Sequence, residues 1–179
     1  AAVGADSLVH IVSDDSGMDS SNVQNLLASA IRKTGAEVVL CGKQAADTNS
    51  GSTGPGVASI LGFTCVGMVS EVSMEGDGFV AMRTSPSGNE KVSVSKPCLF
   101  AFDKAATEMR RPNVRGIMMA KKKAVESLTP ADLGVTMEGS RVSLESHSAP
   151  AEKPPGQKFE GAASVPTVVS KLRDEANVI

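Results

Sequence analysis

The run Val38-Val39-Leu40-Cys41 opens into Gly42 to Pro55, a stretch rich in Gly, Ser and Thr. A second apolar run, Val57 to Leu61, follows and stops at Gly62. The first run reads as a buried parallel strand. The second reads as a short helix closed by glycine. A strand that crosses to a helix through small residues commits the chain to α/β architecture. Such a crossing presents backbone N–H groups at a helix N-terminus, where the helix dipole favours an anion. Small residues also let a phosphate come close to the backbone. The stretch lacks G-x-G-x-x-G spacing and the Lys-Ser/Thr pair of a Walker loop. Its residues fit a phosphate cradle and a polar loop with a Ser/Thr helix cap equally well.

Elsewhere the pattern extends this architecture. Leu8 to Val12 reads as a strand, and Val23, Leu26, Leu27, Ala30 and Ile31 recur at helical spacing, predicting a helix over 22–33. With the strand at 37–41 and the helix at 54–61, the order strand–helix–strand–helix implies a parallel sheet covered on both faces. Val66 to Met74, Phe79 to Thr84 and Lys91 to Val94 are separated by Gly76-Asp77-Gly78 and Pro86-Ser87-Gly88-Asn89, which predicts an antiparallel meander. Pro97 to Phe102 is a short apolar strand, expected to lie centrally. The turn Thr129 to Gly134 is short, at most one helical turn. From Glu138 to Ser164 the composition shifts to Ser, Pro, Gly and Lys, including Pro154-Pro155-Gly156, which reads as a linker. A final helix is expected from Ser164 to Ala176, with Val165, Val168, Val169 and Leu172 on one face. The fold expected is therefore α/β: a doubly wound, mostly parallel sheet with an antiparallel meander and a C-terminal arm. Residues 1–137 form the α/β domain, and 138–179 the linker and arm.

Several functions are disfavoured. The net charge of −2 gives no general footprint for nucleic acid, and with no Trp, no Tyr and five Phe there are few platforms for base stacking. No apolar run approaches the ~20 residues of a membrane helix. Cys41, Cys65 and Cys98 are isolated in apolar surroundings and read as buried reduced thiols. His10 and His147 form no metal motif. Asp14, Asp15 and Asp19 lie in an acidic loop that misses the EF-hand pattern and reads as a solvated lead into a Ser or Asn helix cap. No catalytic set of Ser, His and Asp, nor a reactive cysteine context, is visible.

Residues 104–123 carry seven basic side chains (Lys104, Arg110, Arg111, Arg115, Lys121, Lys122, Lys123) against the single acid Glu108. Pro112 and Gly116 predict an irregular loop. The stretch fits a solvated basic surface or a dock for an acidic partner. Ile117, Met118 and Met119 inside it fit a buried anchor or an exposed apolar patch. At the chain start, Val3-Gly4-Ala5-Asp6-Ser7-Leu8-Val9 echoes Thr34-Gly35-Ala36-Glu37-Val38-Val39-Leu40. Ala1 to Val3 therefore reads as the last turn of a helix that Gly4 stops.

Many of these segments resemble one family. Gly4-Ala5-Asp6 with His10-Ile11, Ala30-Ile31-Arg32-Lys33 with Gly35-Ala36, Gly42-Lys43-Gln44-Ala45, Ser50-Gly51 and Thr53-Gly54-Pro55 occur in the order found in the β subunit of electron-transfer flavoprotein. So do Gly116-Ile117-Met118, Ala120-Lys121-Lys122-Lys123 and Asp132-Leu133-Gly134-Val135. The resemblance spans nearly the whole chain. It implies an adenine-nucleotide-binding type of α/β fold. It also implies an electron-carrier subunit, not an enzyme, that pairs with an α subunit holding FAD. The pair would carry electrons from acyl-CoA-type dehydrogenases towards a quinone reductase, in the mitochondrial matrix or, in a prokaryote, the cytoplasm.

By position, Ala45, Thr48, Gly51, Ser52 and Thr53 match family residues that cradle the phosphate of a structural AMP. Val114, Arg115, Gly116, Ile117 and Met118 match the loop that docks dehydrogenases, and the C-terminal segment matches an arm that wraps the α subunit. Val114 stands where the family usually has Leu, a difference of one methylene or ~1 kcal/mol of burial. Thr48 and Asn49 stand where carboxylates are common. The family also carries two strand–helix units before the segment matched by Ala1, and their strands lie between those at 8–12 and 37–41. The resemblance thus implies unpaired strand edges in the middle of the sheet and no stable monomer of this chain alone: either a separate polypeptide supplies the missing strands, or the chain is a split or degenerate subunit inside a larger assembly. A second function fits the same resemblance: a structural or interaction subunit of a larger mitochondrial respiratory assembly.

Overall fold

The computed structural model describes residues 1–13, 17–103, 108–143, 145–146, 148–153 and 155–179. Asp14, Asp15, Lys104 and His147 lie outside the described residues. The chain divides into two compact units, Ala1–Ser143 and Leu144–Ile179.

The first unit is α/β, of the doubly wound class, with an open and mostly parallel sheet. Strand β1 (Val9–Ile11) leads to helix α1 (Ser20–Thr34), β2 (Val38–Gly42) and α2 (Thr53–Leu61). Asp19 caps α1, accepting the Asn22 amide at 3.0 Å, in the place expected for Ser or Asn. Gly35 ends the helix at φ 70°, a left-handed conformation that suits a residue without Cβ, and its N–H reaches the Ile31 and Arg32 carbonyls. Strands β3 (Thr64–Glu75), β4 (Gly78–Ser85) and β5 (Gly88–Val94) form the expected antiparallel meander. Strand β6 (Cys98–Phe102) then returns to the centre, parallel to both β2 and β3. The order β2-β6-β3-β4-β5 defines a five-stranded sheet.

Alternation along β6 builds two cores, one on each face. Cys98 and Phe100 join Val66, Val69, Ala81 and Val94 on one side, where Phe79 meets the Phe100 ring edge-on at 5.8 Å. Leu99 and Ala101 point the other way, onto Ala28 of α1 and Val57 and Ala58 of α2. α1 and α2 therefore cover the same face, which corrects the expectation that these two helices cover both.

Strand β1 does not join this sheet. It pairs in parallel with β7 (Glu126–Leu128), a strand the sequence pattern does not reveal. The Glu37 carbonyl and the Lys43 amide bond to β6, so alternation turns the polar groups of Val38, Leu40 and Gly42 to the other edge of β2. That edge has no strand partner among the described residues, and Leu40 is 63% exposed. In β1, the Leu8 carbonyl and the Val12 amide bond to β7, which leaves Val9 and Ile11 on the other edge, without a strand partner among the described residues.

Two further expectations need correction. The stretch after Pro112 is not an irregular loop: Val114–Ala120 forms helix α3. Pro112 lies before the cap, and Asn113 accepts the Gly116 amide at 2.7 Å. Gly116 has a packing role, since a Cβ there would stand 2.4 Å from the Ala2 carbonyl oxygen. The cysteines are also not uniformly buried: Cys98 is buried, Cys41 half-buried and Cys65 exposed. Cys65 lies where β3 pairs with β6 only, because pairing with β4 begins at Val69.

In the second unit, a 3-10 turn (Ala162–Ser164) runs into helix α4 (Val165–Asp174), slightly shorter than expected. Pro166 sits in its first turn, where the missing N–H costs nothing. Lys171 and Glu175 pair at 2.7 Å, one helical turn apart. Val165, Val169 and Leu172 are exposed.

Candidate functional site

The loop after β2 forms the wall of a cavity of about 360 Å³. Gly42, Lys43, Gln44, Ala45, Thr48 and Gly51 line it, and Thr53 and Gly54 close it from the first turn of α2. The cavity lies at the carboxyl ends of the parallel strands β2 and β6, where open α/β sheets bind ligands. Four of the five residues matched to a phosphate cradle, Ala45, Thr48, Gly51 and Thr53, therefore share one wall. Ser52 does not line it. Its hydroxyl pairs with the Ser50 hydroxyl at 2.9 Å instead.

The loop is held by its own polar groups. Gln44 Nε2 donates to Asn49 Oδ1 at 2.9 Å, and the Asn49 amide returns to the Ala45 carbonyl at 3.0 Å. Asn49 and Gly51 take positive φ, 51° and 63°, which Asn and Gly tolerate best. Gln24 of α1 donates to the Ser52 carbonyl at 3.0 Å, beside Gly56, where a Cβ would collide with the Gln24 amide. This support from α1 is invisible in sequence, because it depends on how α1 and α2 meet.

The electrostatics suit an anion. Ser52 makes no side-chain cap bond, and no acidic residue stands in the first turn of α2. The opening amides of the helix thus have no side-chain acceptor, and its dipole is uncompensated. The Lys43 ammonium lies 3.3 Å from Asp103, which neutralises part of its charge. Burial pushes the Cys41 thiol up, and Cys65 adds to the effect, so Cys41 faces the cavity as a neutral thiol. Among the described residues no group of His, Cys, Asp and Glu could hold a metal ion. No helix of the described residues is long and apolar enough to cross a membrane.

The second set of expected residues lies apart from this cavity. Val114, Arg115, Gly116, Ile117 and Met118 occupy the first turns of α3. Val114, Ile117, Met118 and Met119 are exposed, together with Met109 just before the helix. Arg110, Arg111, Lys121 and Lys122 flank them, also exposed. The result is an apolar patch inside a basic frame.

An open, mixed sheet with an anion-ready loop at the ends of its parallel strands defines a protein of the doubly wound α/β class. The profile of the electron transfer flavoprotein domain matches residues 1–133. The electron transfer flavoprotein subunit beta of Bradyrhizobium diazoefficiens is 30% identical over 178 residues, 99% of this chain and 70% of that one. The human subunit beta is 31% identical over 176 residues, 97% of this chain and 68% of its own length. That of Bacillus subtilis is 29% identical over 184 residues, 99% of this chain and 72% of its own. The chain belongs to the electron transfer flavoprotein domain family.

Proposed function

We propose that this chain is the β subunit of a heterodimeric electron transfer flavoprotein and acts as a carrier subunit, not a catalyst. In this reading an α subunit holds FAD, which accepts electrons from acyl-CoA-type dehydrogenases and passes them towards a quinone reductase. The compartment is the mitochondrial matrix in a eukaryote or the cytoplasm in a bacterium. The observation that carries the reading is the cavity at the ends of β2 and β6, lined by Ala45, Thr48, Gly51 and Thr53 in front of an uncapped helix N-terminus.

AMP fits this cavity by its phosphate. The α2 amides and the small side chains of the loop would receive the phosphate oxygens, and Ser52 would keep the loop in place through Ser50 and Gln24. The dehydrogenase would dock on α3, where Val114, Ile117 and Met118 offer apolar contact and Arg115 steers an acidic partner. α4 would dock on the α subunit through Val165, Val169 and Leu172. The edges of β1 and β2 that have no strand partner among the described residues could each receive a further strand.

Native mass spectrometry of the purified assembly tests this. The expected result is an α-type chain with FAD, one AMP per β chain, and loss of that AMP in Thr53→Val/Gly51→Val. An assembly free of flavin and adenine nucleotide overturns it. A flavin that acyl-CoA dehydrogenases cannot reduce favours instead a structural subunit of a larger respiratory assembly, a reading that the open strand edges also support.

A further inference from the structure

The composition after Glu138 predicts a linker, yet its first residues are bonded back to the start of α1. One carboxylate makes both ends of that link. Asp19 Oδ1 accepts the Asn22 amide of its own helix at 3.0 Å, and Asp19 Oδ2 accepts the Arg141 amide at 2.8 Å. Asn22 adds a second tie, donating from Nδ2 to the Glu138 carbonyl at 3.1 Å. Asn22 is 6% exposed, the one buried polar side chain among the described residues, and Glu138 is what satisfies its amide. Arg141 and Glu138 pair at 2.7 Å across the turn between them, and the Ser140 hydroxyl donates to the Val142 carbonyl. Both long-range bonds use backbone groups, of 138 and of 141, so they fix the path of the chain and not only its side chains.

We propose that Asp19 and Asn22 form a clamp that holds residues 138–141 on the N-terminus of α1, so that the tether to the C-terminal unit leaves from a fixed point. Asp19 is the positioning residue, and its ionised form is needed because two acceptor oxygens serve two separate donors. In the reading of the C-terminal unit as a docking arm, on which this consequence rests, the clamp shortens the free tether. A shorter tether raises the effective concentration of α4 at its dock.

Asp19→Asn separates the two duties. Asparagine keeps one acceptor oxygen and is as good a helix cap as aspartate. Its amide nitrogen cannot accept the Arg141 N–H. The surviving oxygen stays with Asn22, three residues away, because the local bond closes at less entropic cost than one spanning most of the unit. Hydrogen exchange on the full chain in its purified assembly reads the result. In Asp19→Asn, exchange over 138–143 is expected to rise roughly tenfold with 20–26 unchanged, as suits the loss of one charge-assisted bond. Asn22→Ala is expected to raise exchange over 138–143 as well, by removing the second tie. Trypsin should cut after Arg141 faster in both variants.

Unchanged exchange over 138–143 in Asp19→Asn overturns the clamp. So does faster exchange confined to 20–26, which would make Asp19 a cap alone. Faster exchange over 138–143 with unaltered binding of the α subunit upholds the clamp and refutes the docking-arm reading.

Discussion

Gly54 is the point where the candidate site rests on the sheet, and its substitution gives a test that can be worked through. A Cβ at Gly54 would lie 2.8 Å from Cys41 Sγ, 3.5 Å from Leu99 Cδ2 and 3.7 Å from Ala101 Cβ. The last two distances are ordinary contacts, so the conflict is with the sulfur alone. Relieving it requires Cys41 to leave its rotamer or the first turn of α2 to lift from β2 and β6. Overpacking of this kind costs typically 1–3 kcal/mol. Replacing Gly by Ala in a helix returns up to ~1 kcal/mol. Gly54→Ala is therefore expected to destabilise by up to about 2 kcal/mol. In a Cys41→Ala background the sulfur is gone, and the same substitution should be neutral or slightly stabilising. The coupling between the two positions should fall within the range of roughly 0.5–3 kcal/mol seen for touching residues. Urea midpoints of the four proteins, at constant slope, measure it. An equal penalty for Gly54→Ala in both backgrounds would refute the reasoning, because the clash would then not be with Cys41.

Phe100, fully buried and in edge contact with Phe79, should cost about 3–5 kcal/mol when replaced by Ala, read by thermal unfolding. Gly116→Ala should loosen the chain start, because its Cβ would meet the Ala2 carbonyl; faster exchange over residues 1–5 is the readout, and an unchanged rate refutes the contact. The Asp132 carboxyl is held below its ordinary 3.8 by the Thr129 hydroxyl and then the Thr129 amide, with Lys33 contributing. Its contribution to stability is complete above that ordinary value and vanishes as pH falls through the lowered one. The stability difference between wild type and Asp132→Asn should therefore be flat at neutral pH and shrink only in the acid range below the ordinary carboxyl value. A difference that shrinks near neutrality would contradict this.

What sequence alone reveals follows from how local each signal is. The periodicity of Val23, Leu26, Leu27 and Ala30 is internal to α1, and the Gly-rich turns at 76–78 and 86–89 are internal to the meander, so both elements are legible. β7 is not, because three residues carry no period and Glu126–Leu128 is strand only by pairing with β1. α3 hides behind Gly116, whose propensity argues against helix until the Ala2 carbonyl explains why no side chain fits. In the candidate site, small residues between a strand and a helix point to an anion cradle on physical grounds. Ala45, Thr48 and Gly51 as particular wall residues come from the family resemblance instead. Gln24 could be found by neither route, since its bond to Ser52 exists only once α1 and α2 are packed. Cys65 is exposed despite its apolar sequence neighbours, because these do not reveal where a strand lacks a neighbour in space.

The pairing of β1 with β7 also bears on the order in which the fold forms and comes apart. Its three-residue ladder joins the start of the first unit to a point near its end. The meander, in contrast, closes through tight turns between consecutive strands. Closing a long loop for a short ladder returns few bonds for the entropy it consumes. The meander is therefore expected to form early in folding, and the β1–β7 ladder to close late and open early. Lys33 at the end of α1 bonds Glu126 at the start of β7, 3.0 Å away, so this late ladder carries its own ionic tie to the helix that separates β1 from β2.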